Sequence, residues 1–257
     1  MTFQILGPVR LCTDGREDPL GGTKQRTVLA SLLLAEGGLV TDRYVSRMLW
    51  DTEPPATAAA QILTYASRLR ARLGSRGVLE RSGRGYRLFV DPAEVDHREF
   101  ERLTGVGFAA QRAADHERAA LYLHAALAQW HGTEALVDVT DQLAESDGLL
   151  LEERRTAVLE ARIGTDLILG RHRQVIPELA VLVARDPLRE SFRALHMTAL
   201  YRAARQADAI ALYQEGRLLL DRELGVVPGP LLARTYQGVL SGEPYRNHVG
   251  TALAAAS

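Results

Sequence analysis

A basic helix joined to a glycine-tipped hairpin is the feature that most restricts the fold of this chain. Residues 54–73 read as an amphipathic helix, and residues 78–90 read as a β-hairpin that turns at Ser82-Gly83-Arg84-Gly85. The stretch from Pro54 to Arg87 contains one acidic residue, Glu80, and seven arginines: Arg68, Arg70, Arg72, Arg76, Arg81, Arg84 and Arg87. A helix fits the major groove of DNA, and a basic ribbon beside it can reach the backbone or the minor groove. The stretch therefore predicts a helix and a hairpin that bind nucleic acid.

The elements that precede this stretch predict a winged helix-turn-helix. Phe3–Leu11 reads as a strand interrupted near Gly7-Pro8. Thr23 is a suitable N-cap for a helix that runs through Ala35, and Thr41 for a second helix, Asp42–Leu49. The pair Pro54-Pro55 is expected to open the third helix. Strand, three helices and hairpin within about 90 residues is the order of the winged helix-turn-helix motif. Its predicted buried positions in the first two helices are Val28, Leu29, Leu32, Leu33, Val45, Met48 and Leu49.

The third helix separates into two faces when its residues are placed about 100° apart. The buried face centres on Ile62 and is completed by Ala58, Ala59, Ala66, Leu69 and Leu73. The opposite face carries Thr57, Ala60, Gln61, Thr64 and Arg68. Arginine can bind guanine, glutamine can bind adenine, and threonine or alanine can touch the methyl group of thymine. The face is thus a candidate base-reading surface, and an ordinary solvated face is the alternative.

Other side chains are candidates for contacts with the DNA backbone or minor groove. Arg84 lies between two glycines at the hairpin tip, where it can enter a narrow groove or remain a solvated turn residue. Tyr86 is expected in the hairpin core together with Leu88. Cations and backbone N–H groups at a helix N-terminus suit phosphates. The remaining backbone candidates are Lys24, Gln25, Arg26, Tyr65, Arg72 and Arg81.

The charge of the chain is unevenly distributed. The net charge is −1, but residues 1–90 hold 13 basic and 8 acidic residues, a balance of +5. The remaining residues hold 18 basic and 24 acidic residues, a balance of −6. This asymmetry is typical of a nucleic-acid-binding part joined to a non-binding part, although random variation in surface charge can also produce it.

Composition restricts the class of protein. A length of 257 residues with 46% hydrophobic and 25% charged residues indicates a folded protein of two ordinary domains. Cys12 is the single cysteine, which excludes a disulfide framework and a cysteine metal site. The N-terminus has no signal-peptide pattern and no apolar run is long enough to span a bilayer. We expect a cytoplasmic, nucleoid-associated protein with no membrane partner.

Beyond Val95 the sequence is almost entirely helical in its periodicity. Three helix pairs are predicted: Phe100–Gln111 with His116–Trp130, Leu151–Leu169 with Arg173–Val183, and Leu188–Ala203 with Ala207–Leu224. Such pairs are similar to tetratricopeptide packing, and a non-repetitive helical bundle is the alternative. Residues 241–257 contain Gly, Pro, Asn and an alanine tract, which predicts a poorly ordered tail.

Four motifs resemble those of the Streptomyces antibiotic regulatory protein family: residues 20–26 (Leu-Gly-Gly-Thr-Lys-Gln-Arg), 49–56 (Leu-Trp-Asp-Thr-Glu-Pro-Pro-Ala), 63–70 (Leu-Thr-Tyr-Ala-Ser-Arg-Leu-Arg) and 83–88 (Gly-Arg-Gly-Tyr-Arg-Leu). They occur in family order and spacing, with Thr23 where the family usually has proline. The resemblance implies a mainly α fold. An N-terminal α+β winged helix-turn-helix domain of OmpR type, residues 1–92, would precede an all-α, tetratricopeptide-like bacterial transcriptional activation domain, residues 93–240.

The resemblance also implies a function. It implies a sequence-specific activator of a secondary-metabolite (antibiotic) gene cluster that binds direct repeats in double-stranded promoter DNA near the −35 region. Two head-to-tail protomers would bind the DNA and recruit RNA polymerase holoenzyme. The loop Asp51-Thr52-Glu53 occupies the position at which relatives contact polymerase or its sigma subunit. Solvated loop acids are the alternative.

Enzyme signatures are missing from the sequence. It contains no nucleophile elbow, phosphate-binding loop, zinc-protease helix or dinucleotide fingerprint. His116 and His124 can share a helical face, but no cysteine or carboxylate pattern accompanies them as metal ligands. We therefore expect no enzyme, no metal and no cofactor. A helical protein-interaction adaptor is the second function class, and it would show no salt-dependent binding of DNA.

Overall fold

A computed structural model describes residues 2–13 and 15–242. The fold is mainly helical, with a small β part at the N-terminus. Within the described ranges every strand ends by Val90. The chain divides into two compact units: unit 1 comprises residues 1–105 and 125–156, and unit 2 comprises residues 106–124 and 157–257.

Unit 1 begins with a three-stranded antiparallel sheet made of β1 (Thr2–Gln4), β2 (Arg10–Thr13) and β3 (Arg16–Asp18), in that order. The prediction of one interrupted strand over residues 3–11 was wrong, because the chain reverses and Phe3 pairs with Leu11. Pro8 lacks the N–H that a continuing strand would need. A Cβ on Gly7 would lie 3.2 Å from the carbonyl carbon of His131, so the reversal also depends on a distant segment.

Three helices and a second sheet follow in unit 1. The helices are α1 (Thr23–Leu34), α2 (Asp42–Trp50) and α3 (Ala58–Leu73). The sheet contains β4 (Val40–Thr41), β5 (Gly77–Ser82) and β6 (Gly85–Val90) in the antiparallel order β4-β6-β5. The predicted buried positions of α1 and α2 are confirmed, and α3 buries Ile62, Ala66, Leu69 and Leu73.

The predicted helix starts were correct in one case out of three. Thr41 caps α2 by accepting a hydrogen bond of 3.1 Å from the Tyr44 N–H. By contrast, Gly22 is the N-cap of α1, and Thr23 is its first residue. The third helix starts at Ala58 and not at Pro54. The residue before a proline avoids helical geometry, so Pro55 keeps the chain extended for longer than predicted.

The late start of α3 changes the exposure of its first turn. Thr57 becomes the N-cap. Ala59, which we placed on the buried face, is exposed, and Ala58 is half-buried. The prediction that Ala59 is buried was therefore wrong, because the first turn of α3 is mostly exposed. The rest of the predicted buried face is confirmed from Ile62 onwards.

The hairpin β5–β6 has the predicted two-residue turn, with Ser82 paired to Gly85. Gly83 opens the turn at a φ of 56°, which favours glycine. Gly85 is required for a different reason. A Cβ there would lie 2.4 Å from the Val40 carbonyl oxygen, so the approach of β4 to β6 excludes a side chain. Tyr86 and Leu88 are buried, as predicted.

The remaining helices begin after a short 3₁₀ turn. They are α4 (Asp96–Arg112), α5 (His116–Leu127), α6 (Asp141–Leu143), α7 (Leu149–Ile168), α8 (His172–Arg185), α9 (Glu190–Arg202), α10 (Gln206–Leu224) and α11 (Pro230–Ser241). Helix α6 continues into α7 through a π-helical turn, Ala144–Gly148. The six predicted helices are present with shifted bounds, but residues 128–140 are not helical, and α11 was not predicted as a separate element.

Each unit has its own buried residues. In unit 1 the Asp96 carboxylate accepts hydrogen bonds from the N–H groups of Ile5 and Leu6, at 2.9–3.0 Å, which joins the turn between β1 and β2 to the start of α4. In unit 2 side chains of α7, α8 and α9 form one apolar cluster around Leu179 and Phe192, and a second surrounds Met197 and Leu232. Of the predicted tail, residues 241–257, Ser241 is instead the last residue of α11, and residues 243–257 lie outside the described residues.

No helix in the described part of the chain combines the length and the apolar character needed to cross a membrane.

Candidate nucleic-acid interface

The exposed face of α3 brings together the five predicted base-reading residues. Thr57, Ala60, Thr64 and Arg68 are exposed, and Gln61 is half-buried. The Gln61 side-chain amide donates to Thr57 Oγ1 over 2.9 Å, and the Thr64 hydroxyl donates to the Ala60 carbonyl over 2.9 Å. These bonds hold the short polar side chains close to the helix, so its backbone can approach a surface closely.

Arginines on α3 differ in how they are held. Arg68 and Arg72 are exposed, and we find no ion pair or hydrogen bond for their side chains within the described residues. Arg70 instead donates from Nε to the Leu79 carbonyl over 2.8 Å and so joins α3 to the hairpin. Tyr65 is half-buried, with its hydroxyl 3.5 Å from Gln61 Oε1. Arg68 and Arg72 are therefore exposed cations of α3 without a partner among the described residues.

The hairpin tip is fixed while its arginine side chain is exposed. The Arg84 carbonyl accepts a hydrogen bond of 2.8 Å from the Asp42 N–H, at the first turn of α2. The Arg84 side chain is exposed. A rigid tip with a free guanidinium is suited to an anionic surface, because few backbone degrees of freedom are lost on contact.

Arg81 was predicted as a backbone contact, but the structure also gives it a role within unit 1. Its guanidinium forms two hydrogen bonds with the Asp42 carboxylate, at 2.7 and 2.6 Å, and lies 4.6 Å from the ring centroid of Tyr86. The hydrogen bond that Arg81 donates to the Asp42 carboxylate is the main cause that raises the pKa of Arg81 above its ordinary value. The side chain remains 40% exposed, so one side of it still faces solvent.

At the start of α1 the three candidates for phosphate contacts are not equivalent. Gln25 is only 2% exposed, contrary to the expectation that its side chain faces solvent, because its position on α1 turns toward the core. Lys24 Nζ lies 4.9 Å from the ring centroid of Trp50, and Arg26 Nε lies 3.3 Å from a carboxylate oxygen of Asp138. Both cations are half-buried and retain some exposure.

The acidic loop Asp51-Thr52-Glu53 is fully exposed between α2 and α3. Asp51 has a φ of 55° and a ψ of −116°, a backbone conformation outside the left-handed helical region that favours glycine over aspartate. The Asp51 N–H donates to the Arg47 carbonyl over 2.8 Å, and the Glu53 N–H donates to the Trp50 carbonyl over 3.2 Å. The backbone of the loop is therefore anchored while its carboxylates project into solvent.

Three features of this surface were not predicted. Leu63 is exposed on α3, although its position about 100° from Ile62 on the helical wheel was a usable signal. Asp42 pairs with Arg81 from 39 residues away. Asp138 and Thr140 contact α1 and α2 from the distant loop, which no local pattern indicates. Among the described residues there is no group of three or more His, Cys, Asp or Glu side chains suited to a metal ion.

Comparison with known proteins decides the family. The sequence model of the bacterial transcriptional activator domain matches residues 95–240. The regulatory protein DnrI of Streptomyces peucetius is 35% identical over 268 residues, which cover 100% of this chain and 98% of DnrI. This chain belongs to the Streptomyces antibiotic regulatory protein family.

Other members of the family differ in length. The regulatory protein AfsR of Streptomyces coelicolor is 39% identical over 99% of this chain, but the chain spans only 26% of AfsR; for AfsR of Streptomyces griseus it spans 25%. The solved structure of Mycobacterium tuberculosis EmbR in complex with a low-affinity phosphopeptide superposes with a TM-score of 0.91 at 32% identity. That likeness covers 99% of this chain and 68% of the EmbR chain. AfsR and DnrI are both named as regulatory proteins.

Proposed function

We propose that this family member is a sequence-specific DNA-binding transcriptional activator. The observation that carries the proposal is the exposed face of α3. The sequence has no acidic residue from Pro54 to Leu79, and the hairpin tip with Arg84 belongs to the same unit as α3. In this proposal residues 1–92 form a winged helix-turn-helix of OmpR type. Helix α3 enters the major groove, which is about 12 Å wide and admits one helix.

Individual side chains take different roles in the proposed complex. Arg68 is exposed and unconstrained, so it can reach guanine O6 and N7. Gln61 donates one amide hydrogen to Thr57 and keeps the second for adenine. Thr57, Ala60 and Thr64 allow the close approach that base contacts require. Their short side chains are the reason that the α3 backbone can lie deep in the groove.

The remaining cations bind phosphates or the adjacent minor groove. Arg84 at the fixed hairpin tip is the proposed wing contact, and Arg72 extends the basic face of α3. Lys24, Arg26, Tyr65 and Arg81 are each partly engaged within unit 1, and we assign them backbone contacts through their exposed parts. Such contacts position the protein without reading sequence.

Activation is assigned to the acidic loop and the helical part. We propose that Asp51, Thr52 and Glu53 contact RNA polymerase holoenzyme or its sigma subunit, since the loop is exposed and carries two carboxylates without salt-bridge partners among the described residues. Residues 93–240 then act as the tetratricopeptide-like activation domain. The operator consists of direct repeats near the −35 region of antibiotic biosynthesis promoters, bound by two head-to-tail protomers.

The proposal is tested with the full chain. Footprinting on promoters from the neighbourhood of its own gene identifies the bound sequence, and fluorescence anisotropy then compares that sequence with a scrambled one at several salt concentrations. We expect tighter binding to the operator and an affinity that falls steeply with salt. In vitro transcription on the same template measures activation. Equal binding to both sequences, or no binding, would overturn the proposal.

A further inference from the structure

Helix α3 exposes a leucine beside the proposed base-reading residues. Leu63 is 56% exposed, and it is the one large apolar side chain that α3 exposes. Ala59 and Ala60, about one turn earlier, are exposed as well. Together the three side chains form a small apolar patch on an otherwise polar and basic helix face.

The position of Leu63 around the helix places it within the proposed interface. At about 100° per residue, Gln61 and Leu63 lie on opposite sides of the buried Ile62, each about 100° away from it. Ala60 and Thr64 lie between them on the far side, about 160° from Ile62. The exposed half of α3 therefore runs from Gln61, through Thr64 and then Ala60, to Leu63.

The charge of α3 as a whole favours DNA over a protein as the occupant of the patch. Arg68 and Arg72 are exposed on the same helix, and no acid lies between Pro54 and Leu79. This charge complements phosphates. Within the major groove thymine is the base that presents a methyl group, and apolar side chains contact it. An exposed leucine has no hydrogen-bonding group with which to read any other base edge.

We propose that Leu63, flanked by Ala59 and Ala60, packs against the C5-methyl group of a thymine in the operator, and that this contact sets the base preference at that position. The inference rests on the proposed function, because it needs α3 to lie in the major groove. It makes Leu63 a specificity-determining residue in addition to the polar residues of the same face.

The test removes the methyl group and the leucine separately and together. Each thymine of the footprinted operator is replaced singly by dU, which keeps base pairing and removes only the C5-methyl group. Fluorescence anisotropy at fixed salt gives the Kd of the full chain and of Leu63→Ala for every duplex. Leu121→Ala is the matched control, because Leu121 is 66% exposed on α5 and belongs to unit 2.

We expect one or two dU positions to weaken wild-type binding about fourfold each, the worth of one buried methyl group. Leu63→Ala should lose a similar factor on the thymine operator and should then be insensitive to the same dU position. Leu121→Ala should retain the wild-type pattern. Circular dichroism confirms that the variants are folded.

Two results would overturn the inference while the proposed function stands. In the first, Leu63→Ala stays as sensitive as wild type to every dU position. In the second, Leu63→Ala binds every duplex like wild type but activates transcription less, which would assign Leu63 to a protein contact. Failure of the wild-type chain to prefer its operator over scrambled DNA would instead refute the proposed function itself.

Discussion

The buried carboxylate of Asp96 should make the stability of unit 1 depend on pH. Burial raises the pKa of Asp96 from 3.8 to about 6, although the N–H groups of Leu6, Ile5 and His97 donate hydrogen bonds to it and lower that pKa in part. The side chain is 5% exposed, so little solvent screens it. The fold therefore binds the Asp96 proton more tightly than the unfolded chain does.

The sign and size of the effect follow from linkage. Between pH 3.8 and about 6 the folded state holds a proton that the unfolded state has lost, so the free energy of unfolding falls as the pH rises through this window. The shift is about 6 − 3.8, or 2.2 units, and about 1.36 kcal/mol per unit gives about 3 kcal/mol in total. Above this window the loss is complete and does not grow further.

Asp96→Asn removes the titrating group and provides the measurement. We compare urea unfolding of wild type and variant from about pH 4 to about pH 7.5, followed by fluorescence of Trp50 and Trp130, which both lie in unit 1. As the pH rises across this range, the unfolding free energy of wild type should fall by about 2–3 kcal/mol relative to that of Asp96→Asn. His131, whose Nε2 lies 3.9 Å from Asp96 Oδ2, is the titratable neighbour to check, by His131→Gln in both backgrounds.

The same comparison contains a control and a refutation. Asp91→Asn alters an exposed aspartate that caps the preceding 3₁₀ turn, and its curve should stay parallel to that of wild type. Asp96→Asn also replaces the oxygen that accepts from Leu6 by a donor, a constant loss of about 1–3 kcal/mol at every pH. If wild type and Asp96→Asn give parallel curves, burial does not raise the pKa of Asp96 and the reasoning is wrong.

The other predictions concern DNA and transcription, each measured with the full chain. Arg68→Ala should weaken operator binding by about 1–3 kcal/mol and leave binding to scrambled DNA nearly intact. The control is Arg173→Ala, because Arg173 is exposed in unit 2. An equal loss of affinity on both duplexes would make Arg68 a phosphate contact. Arg84→Ala should lower affinity and the salt slope by about one unit without changing base preference, and unchanged binding at several salt concentrations would exclude the wing contact. Asp51→Ala combined with Glu53→Ala should preserve the footprint and reduce transcription in vitro, whereas undiminished transcription would make these residues solvated loop acids.

Local sequence patterns predicted the parts of the fold that depend on nearby residues. Thr41 caps α2 because its side chain reaches the Tyr44 N–H only three residues away. Burial of Tyr86 and Leu88 followed from alternation along β6, which is also a local rule. The predicted start of α3 was wrong for a local reason as well, because the effect of Pro55 on the conformation of the residue before it was underestimated.

Contacts between distant residues set the limits of prediction at the candidate site. Arg81 was read as a free cation, but Asp42, 39 residues earlier, forms two hydrogen bonds with it. Gln25 was predicted as a phosphate contact at the N-terminus of the first helix, and its burial depends on how α1 packs. Leu63 was passed over because the wheel was divided into a buried and a polar face, with no place for an exposed apolar residue.

The loop that contains Asp138 and Thr140 shows that two helices of the proposed DNA-binding domain, α1 and α2, are held by residues far along the chain. The Asp138 carboxylate accepts from the Val9 N–H over 2.8 Å and pairs with Arg26. The Thr140 hydroxyl donates to the Met48 carbonyl over 2.6 Å, and its N–H donates to Thr27 Oγ1 over 3.0 Å. The Met48 carbonyl is in the last turn of α2, where carbonyl groups have no partner within the helix, so Thr140 supplies the missing donor.

Residues 125–156 thus lie within the family's activator-domain match but belong spatially to unit 1. A fragment that ends near residue 95 would lose these bonds beside α1 and α2. Weak DNA binding by such a fragment would therefore have two explanations, poor recognition of the operator and a less stable fold.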